Sequence, residues 1–281
     1  MILIADSGAT KTDWCLINNG KCSRVFETLG LNPTYVSSLI ISNEIASAAK
    51  HFGNASAVEK VFFYGAGCAD EQNRNEMKSE LARCFQNAEI EVNTDLLGAC
   101  RAVCGDKDGI VGILGTGSNS CVYQNGEIVA NIPSAGYMLG DEGSGTYIGK
   151  MLLKKYLTKR MPSDIEENFS NFIGGLSRNE ILDIVYHKRQ PNKFFASLTP
   201  FAIDNRKHNF IYLLVAQCFD DFFENQILLY NSTMKDIFLV GSVAWILENQ
   251  LRECAEKHGY TLRKTLQKPI QGLADFHTKK G

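Results

Sequence analysis

The chain opens on Ile2-Leu3-Ile4-Ala5, an apolar run of the kind a strand covered on both faces requires. Small and polar residues interrupt it at Asp6-Ser7-Gly8-Ala9-Thr10-Lys11-Thr12, and Trp14-Cys15-Leu16-Ile17 resumes the apolar pattern. Asn19-Gly20 is a type I′ hairpin dipeptide, with Cys22 to Thr28 as the returning strand. Three antiparallel strands therefore begin the protein. After a loop at Gly30-Leu31-Asn32-Pro33, a helix is predicted over 36–52 and a buried strand over Val61-Phe62-Phe63-Tyr64, ending in Gly65-Ala66-Gly67-Cys68. Met77, Leu81, Cys84 and Phe85 share one helical face, and Ile90 to Asn93 form a short strand. Asp95 stands where a helix N-cap would, ahead of Leu96, Cys100 and Val103.

The pattern then restarts. Ile110 to Leu114 is an apolar strand, Gly115-Thr116-Gly117-Ser118-Asn119-Ser120 a small polar turn, and Cys121-Val122-Tyr123 a strand. Asn125-Gly126 is a second hairpin dipeptide before Glu127-Ile128-Val129. Ser7-Gly8 aligns with Thr116-Gly117, so half a domain has been duplicated. Small residues let backbone N–H groups approach an anion. Two such halves facing each other would clamp one phosphate chain between two turns.

Five glycines crowd the span from Ser134 to Gly149, with Asp141 and Glu142 among them, a composition that suits backbone approaching a ligand. Helix is expected over 150–157, and a mixed, polar, helical insert over 158–207. Phe210, Leu213, Leu214, Cys218, Phe222 and Ile227 mark a long buried helix. Asp236 to Val240 is a strand ending in Gly241-Ser242-Val243-Ala244, followed by one helix over 245–258 and a closing helix over 269–277.

Composition narrows the chemistry. The 281 residues carry a net charge of −2, which gives no footprint for nucleic acid or an anionic membrane. No apolar run reaches the ~20 residues of a membrane helix, and the start lacks the basic region of a signal peptide. Nine cysteines include no Cys-x-x-Cys pair. Cys15, Cys121, Cys218 and Cys254 read as small buried hydrophobes and Cys100 and Cys104 as core, so no disulfide, iron–sulfur cluster or structural zinc is expected. Cytoplasm is the consistent compartment. Gly115-x-Gly117-x-x-Ser120 leads into a hairpin and is no dinucleotide fingerprint, and the stretch before Gly149-Lys150 lacks the first Gly and the last Ser or Thr of a P-loop. The histidines show no metal-ligand spacing.

Asp6 to Thr12, Gly115 to Asn119, Leu139-Gly140-Asp141-Glu142-Gly143-Ser144 and Val240-Gly241-Ser242-Val243, in that order, resemble the BadF/BadG/BcrA/BcrD-type ATPase family and its N-acetylglucosamine kinase-like branch. The resemblance implies an α/β, duplicated actin-like (ribonuclease H-like) fold of two lobes, each a mixed five-stranded sheet with helices, with ATP in the cleft. It implies an N-terminal lobe over 1–109, joined by the closing helix 269–281, and a C-terminal lobe over 110–268. By the same resemblance Asp6, Gly8, Thr10, Lys11 and Thr12 form the first phosphate loop, with Mg²⁺ near Asp6. Gly115, Thr116, Gly117 and Ser118 form the second. Gly241 and Ser242 take the adenosine, with Ala196 as its other wall. Asp95 is the catalytic base, and Asn32, Gly67, Asn119 and Asp141 meet the sugar. On the residues alone, Asp95 is a helix cap and Asn32 a loop residue, while Asp141 is equally a turn carboxylate or a functional one.

Three readings follow. The first is an ATP- and Mg²⁺-dependent kinase acting on an amino sugar, N-acetylglucosamine or N-acetylmuramic acid, to give the 6-phosphate. The second is an ATP-driven activator or regulator of a partner enzyme, and the third a nucleotide-binding protein without turnover. Asp95, Asn32 and Asn119 together favour the first. Its partner is a small amino sugar, with no nucleic acid and no membrane; a homodimer is allowed.

Overall fold

The computed structural model describes residues 1–8, 10–188 and 190–279, so Ala9 of the first turn lies outside the described residues. The chain divides into two compact units: residues 1–108, 123–128 and 268–281, and residues 109–122 and 129–267.

The first unit is built on β1 (Ile2–Ser7), β2 (Lys11–Asn18), β3 (Lys21–Leu29), β4 (Lys60–Gly65) and β5 (Glu89–Thr94). Their order in the sheet is β3-β2-β1-β4-β5. β1, β2 and β3 are antiparallel, while β4 and β5 run parallel to β1. The β2–β3 turn has Asn19 at φ 49° and Gly20 at φ 70°, the left-handed pair a type I′ turn demands. One sheet face carries Leu3, Ala5, Trp14, Leu16, Val61 and Phe63 against α1 (Ser38–Phe52) and α2 (Glu71–Cys84). The opposite face is covered by α3 (Asp95–Val103) and, later in the chain, the closing helix Pro269–Lys279. These two helices approach closely at Gly272, where a Cβ would come within 2.4 Å of the Ala102 carbonyl oxygen. His277 of the closing helix stacks on Phe62 with ring centroids 3.8 Å apart.

The second unit repeats the plan. β6 (Gly109–Leu114), β7 (Ser118–Gln124), β8 (Glu127–Ile132), β9 (Asp236–Val240) and β10 (Thr261–Leu266) lie in the order β10-β9-β6-β7-β8, which is the first sheet's order strand for strand. The β7–β8 turn has Asn125 at φ 52° and Gly126 at φ 86°. Ser7-Gly8 and Thr116-Gly117 both fall at the turn between the first and second strands of their sheets. The hairpin tip, residues 123–128, belongs to the first unit, where Tyr123 OH donates to the Gly105 carbonyl at 3.2 Å.

Helices fill out this unit: α4 (Gly136–Leu139), α5 (Gly145–Leu157), α6 (Ser163–Phe172), α7 (Arg178–His187), α8 (Pro191–Ser197), α9 (Thr199–Asp204), α10 (Asn209–Asn225), α11 (Ser242–Ile246) and α12 (Glu248–Lys257); the closing helix of the first unit is α13. Phe169, Phe201, Phe219, Phe222 and Phe223 sit in its core.

Several expectations are corrected. Helix α5 begins at Gly145, with the Ser144 hydroxyl capping the Tyr147 N–H at 3.1 Å, and not at Lys150. Gly145 and Gly149 are therefore helix positions that let α8 and α9 approach: a Cβ on Gly149 would lie 1.9 Å from the Phe195 carbonyl oxygen. The single helix expected over 245–258 is two, α11 and α12, meeting at Leu247. Leu213 points to solvent, and Ile227 follows α10 in a 3-10 turn. Strand β10 carried no recognisable alternation, because a register shift between Leu262 and Lys264 puts its buried residues, Leu262 and Thr265, three apart. Cys15 and Cys22 form a disulfide across the β2–β3 hairpin, against the expectation of none. A register shift between Leu16 and Ile17 sets Cys22 opposite Ile17, which shares a strand face with Cys15. Among the described residues no helix is long and apolar enough to cross a membrane.

Candidate active site

In the first unit, register builds a polar row across all five strands. Glu27 on β3 faces Asp13 on β2, which faces Asp6 on β1, then Tyr64 on β4 and Asn93 on β5. Side chains in register share a face, so this row runs under α3 and α13 just before the strand ends. Asp95 follows Thr94 at the end of β5. The N-cap of α3 is Thr94, whose hydroxyl accepts the Leu97 N–H at 3.1 Å; Asp95 is the first helical residue, not the cap. Its Oδ1 accepts the Leu96 N–H at 2.9 Å.

Burial pushes the Asp95 carboxyl up to about 6. Burial, with the nearby charges of Asp95 and Asp13, pushes Asp6 up to about 8. Two acids are thus separated by environment, with Asp6 holding its proton to higher pH than Asp95. An all-oxygen donor set around a carboxylate in need of a cation fits a hard divalent ion such as Mg²⁺.

The first turn is tied internally. Gly8 N–H donates to the Lys11 carbonyl at 3.0 Å. Thr12 Oγ1 lies 2.8 Å from Ser7 Oγ and 2.9 Å from the Leu29 carbonyl oxygen, and Ser7 Oγ accepts the Leu31 N–H at 2.9 Å. Thr12 is fully buried, so its hydroxyl holds the turn to the 29–31 segment, while Thr10 is exposed at the turn's surface. Lys11 Nζ is engaged by Glu27 at 3.0 Å. Asn32 is buried and uses Oδ1 to accept the Thr34 N–H at 2.9 Å. Gly67 lies against it: at φ 80°, a Cβ there would come within 2.1 Å of Asn32 Oδ1. The structure thus brings Asn32 and Gly67 together in the unit that holds Asp6 and Asp95.

The second turn is braced from below. Its carbonyls at Gly115 and Thr116 accept the first N–H groups of α5, from Gly145 at 2.8 Å and Thr146 at 3.0 Å. Ser118 N–H donates to Asp141 Oδ1 at 3.3 Å, and Ser134 Oγ donates to the same oxygen at 2.6 Å. Asp141 adopts φ 57°, so the loop turns sharply to bring its carboxylate under Gly117 and Ser118. Asn119 Oδ1 accepts from Ser120 N–H at 2.9 Å and from Asn131 Nδ2 at 3.1 Å. Gly241 needs φ 124° and crosses the end of β6, where a Cβ would meet the Leu114 carbonyl oxygen at 2.2 Å. Ser242 is exposed at the start of α11, and Ala196 lies half-buried on α8.

Sequence reasoning missed the residues that hold these turns. Gln226 is buried, donates to Ser118 Oγ at 3.2 Å and accepts from Ser120 Oγ at 3.0 Å. Its one signal was position, an amide directly before the apolar run Ile227-Leu228-Leu229. Asn131 and Lys268 carried no such signal. One trio of metal-ligating types, Asp220, Cys254 and His258, also comes together in the second unit. There Asp220 already accepts from Lys257 at 2.6 Å, His258 at 2.9 Å and Cys254 at 3.3 Å.

Two sheets of identical strand order, with helices on them, define an actin-like sugar-kinase fold. Solved structures of that fold superpose along the whole chain. The "Putative N-acetylglucosamine Kinase" of Porphyromonas gingivalis is 39% identical, with 99% of each chain covered and a TM-score of 0.93. Its namesake from Chromobacterium violaceum is 19% identical, with 98% of each chain covered and a TM-score of 0.74. A ROK family glucokinase from Streptomyces griseus, solved with glucose and AMPPNP, is 12% identical over 100% of this chain and 99% of that one, with a TM-score of 0.62. Among curated proteins no significant match is found. The chain belongs to the BadF/BadG/BcrA/BcrD ATPase family, whose model matches residues 5–171.

Proposed function

We propose that this protein transfers the γ-phosphoryl group of ATP to the 6-hydroxyl of an N-acetylated amino sugar, N-acetylglucosamine or N-acetylmuramic acid. The observation that carries the reading is the separation of two carboxylates in one unit. Burial raises the carboxyl of Asp95, the first residue of α3, and raises further that of Asp6 at the end of β1, where the charges of Asp95 and Asp13 add to it. Phosphoryl transfer needs little covalent help; it needs a positioned base, charge neutralisation and an aligned acceptor. Asp95 takes the proton of the sugar hydroxyl as the bond to phosphorus forms. Asn32, Asn119 and Asp141 orient the sugar hydroxyls, and the bare backbone at Gly67 makes room for the acetamido group. Gly8, Thr10 and Lys11 of the first turn and Gly115 to Ser118 of the second contact the phosphates, with Thr12 fixing the first turn from beneath. Gly241, Ser242 and Ala196 flank the adenosine. Asp6 would hold Mg²⁺, which supplies charge neutralisation on the phosphates when bound. The likeness in fold and sequence to the Porphyromonas gingivalis protein, itself named "Putative N-acetylglucosamine Kinase", supports this choice over an ATPase that activates a partner.

A coupled ADP-release assay with Mg-ATP across a panel of hexoses and N-acetylhexosamines tests it. The expected result is turnover stimulated at least ten-fold by N-acetylglucosamine or N-acetylmuramic acid. ADP release that ignores every sugar would refute the kinase reading and favour the activator.

A further inference from the structure

Four side chains of the first unit form a closed ion cluster beside the first turn. Lys11 Nζ lies 3.0 Å from Glu27 Oε2 and 3.6 Å from Asp13 Oδ2. Lys268 Nζ lies 3.0 Å from Asp13 Oδ1 and 3.6 Å from the same Glu27 oxygen. Two cations are thus shared by two anions, and the anions are not equivalent. Asp13 is 5% exposed and sits in register beside Asp6, so its charge is neutralised by these lysines or not at all. Glu27 is 55% exposed on the edge strand β3, where water solvates it without help. The hydrogen bond from Lys11 holds its carboxyl below the usual range, so it is ionised at neutral pH. Among the described ion pairs, neither lysine is paired with Asp6, although both charges act on it. Lys11 lies directly across the turn from Gly8.

Such an arrangement suits exchange. Each ammonium sits on a four-carbon stem with about half its surface in solvent, able to swing without unpacking the sheet. A triphosphate offers several anionic oxygens and more charge than one carboxylate. We propose that Glu27 is a resident counter-ion which the phosphates of ATP displace, so that Lys11 and Lys268 pass from Glu27 to the nucleotide while Asp13 keeps both lysines in place. Lys268, the residue before α13, thereby becomes a nucleotide-binding residue that lies outside both turns. The inference rests on the ATP reading above and adds two residues, Glu27 and Lys268, to it.

Calorimetric titration with Mg²⁺ and an ATP analogue bearing a non-hydrolysable β–γ bridge tests it on the full chain. An exposed ion pair is worth little, so removing the competitor has a small and directional effect: Glu27→Gln tightens binding about two- to five-fold. Lys268→Met weakens it by a similar factor, and in the double variant the gain from Glu27→Gln shrinks. Melting temperatures without nucleotide are recorded for each variant. If both single variants lose thermal stability while their affinity stays at the wild-type value, the cluster only fastens α13 to the sheet and the proposal is overturned. Wild-type protein that fails to bind the analogue at all would instead refute the ATP reading itself.

Discussion

Replacing Asp95 by Asn separates catalysis from folding. Asn keeps the shape, keeps an Oδ1 that can accept the Leu96 N–H, and leaves the true cap, Thr94, untouched. What it removes is the charge and the ability to take a proton. A positioned base contributes ~10²–10⁴-fold, so turnover should fall by at least two orders of magnitude with sugar and ATP binding little changed. The effect on stability has the opposite sign. Burial raises the folded-state value from 3.8 to about 6, so the folded protein holds this proton more tightly than the unfolded chain. Ionised Asp95 therefore costs stability: nothing below about pH 4, progressively more between 4 and 6, and the full amount above 6. At ~1.4 kcal/mol per unit the ceiling is about 3 kcal/mol, already net of the backbone N–H groups at the helix N-terminus that favour the charge. Asp95→Asn should melt several degrees higher than wild type at pH 8 and at the same temperature near pH 4. Wild-type turnover should also decline as pH falls through about 6. Coupled turnover assays and melting curves at the two pH values read all three. Turnover within a few-fold of wild type would reduce Asp95 to a helix-terminal residue, and a lower melting temperature at pH 8 would refute the buried-charge argument.

Three further outcomes are expected. Asp6→Asn should abolish Mg²⁺-dependent turnover and, by the same linkage as at Asp95, raise the melting temperature at pH 7, because the folded protein holds an Asp6 proton that the unfolded chain releases; normal Mg²⁺ dependence in that variant would remove the metal assignment. Gly67→Ala forces a Cβ into the Asn32 carboxamide at a left-handed position, so stability should drop by about 1–3 kcal/mol and the KM for sugar should rise, both measured on purified variant. Gln226→Leu leaves Ser118 and Ser120 without their buried amide partner; the KM for ATP should rise several-fold with a loss of ~1–3 kcal/mol in denaturant titration, and an unchanged KM would show that the second turn stands without it.

Much of this was legible in the chain. The two Asn-Gly dipeptides fixed two hairpins, because few residue pairs accept two successive left-handed positions. The apolar runs at 2–5 and 110–114 exposed the duplication, and the structure repeats the strand order. Glycine content also answered a demand of packing that composition does not show: Gly145 and Gly149 are helix positions that let α8 and α9 approach. The cap of α3 was misread by one residue because Thr94 and Asp95 are both good caps, and only backbone geometry chooses between them. Strand β10 hid behind a bulge, and the Cys15–Cys22 pair behind a register shift, neither of which period-2 reasoning detects. The polar row from Glu27 to Asn93 was invisible for a simpler reason: its members come from five separated strands, and only register aligns them.

In the proposed reaction the γ-phosphate of ATP ends on a sugar hydroxyl. Phosphorus NMR of the protein with Mg-ATP and N-acetylglucosamine, and in parallel with N-acetylmuramic acid, follows that atom directly. The γ-phosphate signal should be replaced, one for one with ADP formation, by a phosphomonoester signal coupled to the protons on C6 of the sugar. Inorganic phosphate appearing in its place, with the sugar unchanged, would contradict it.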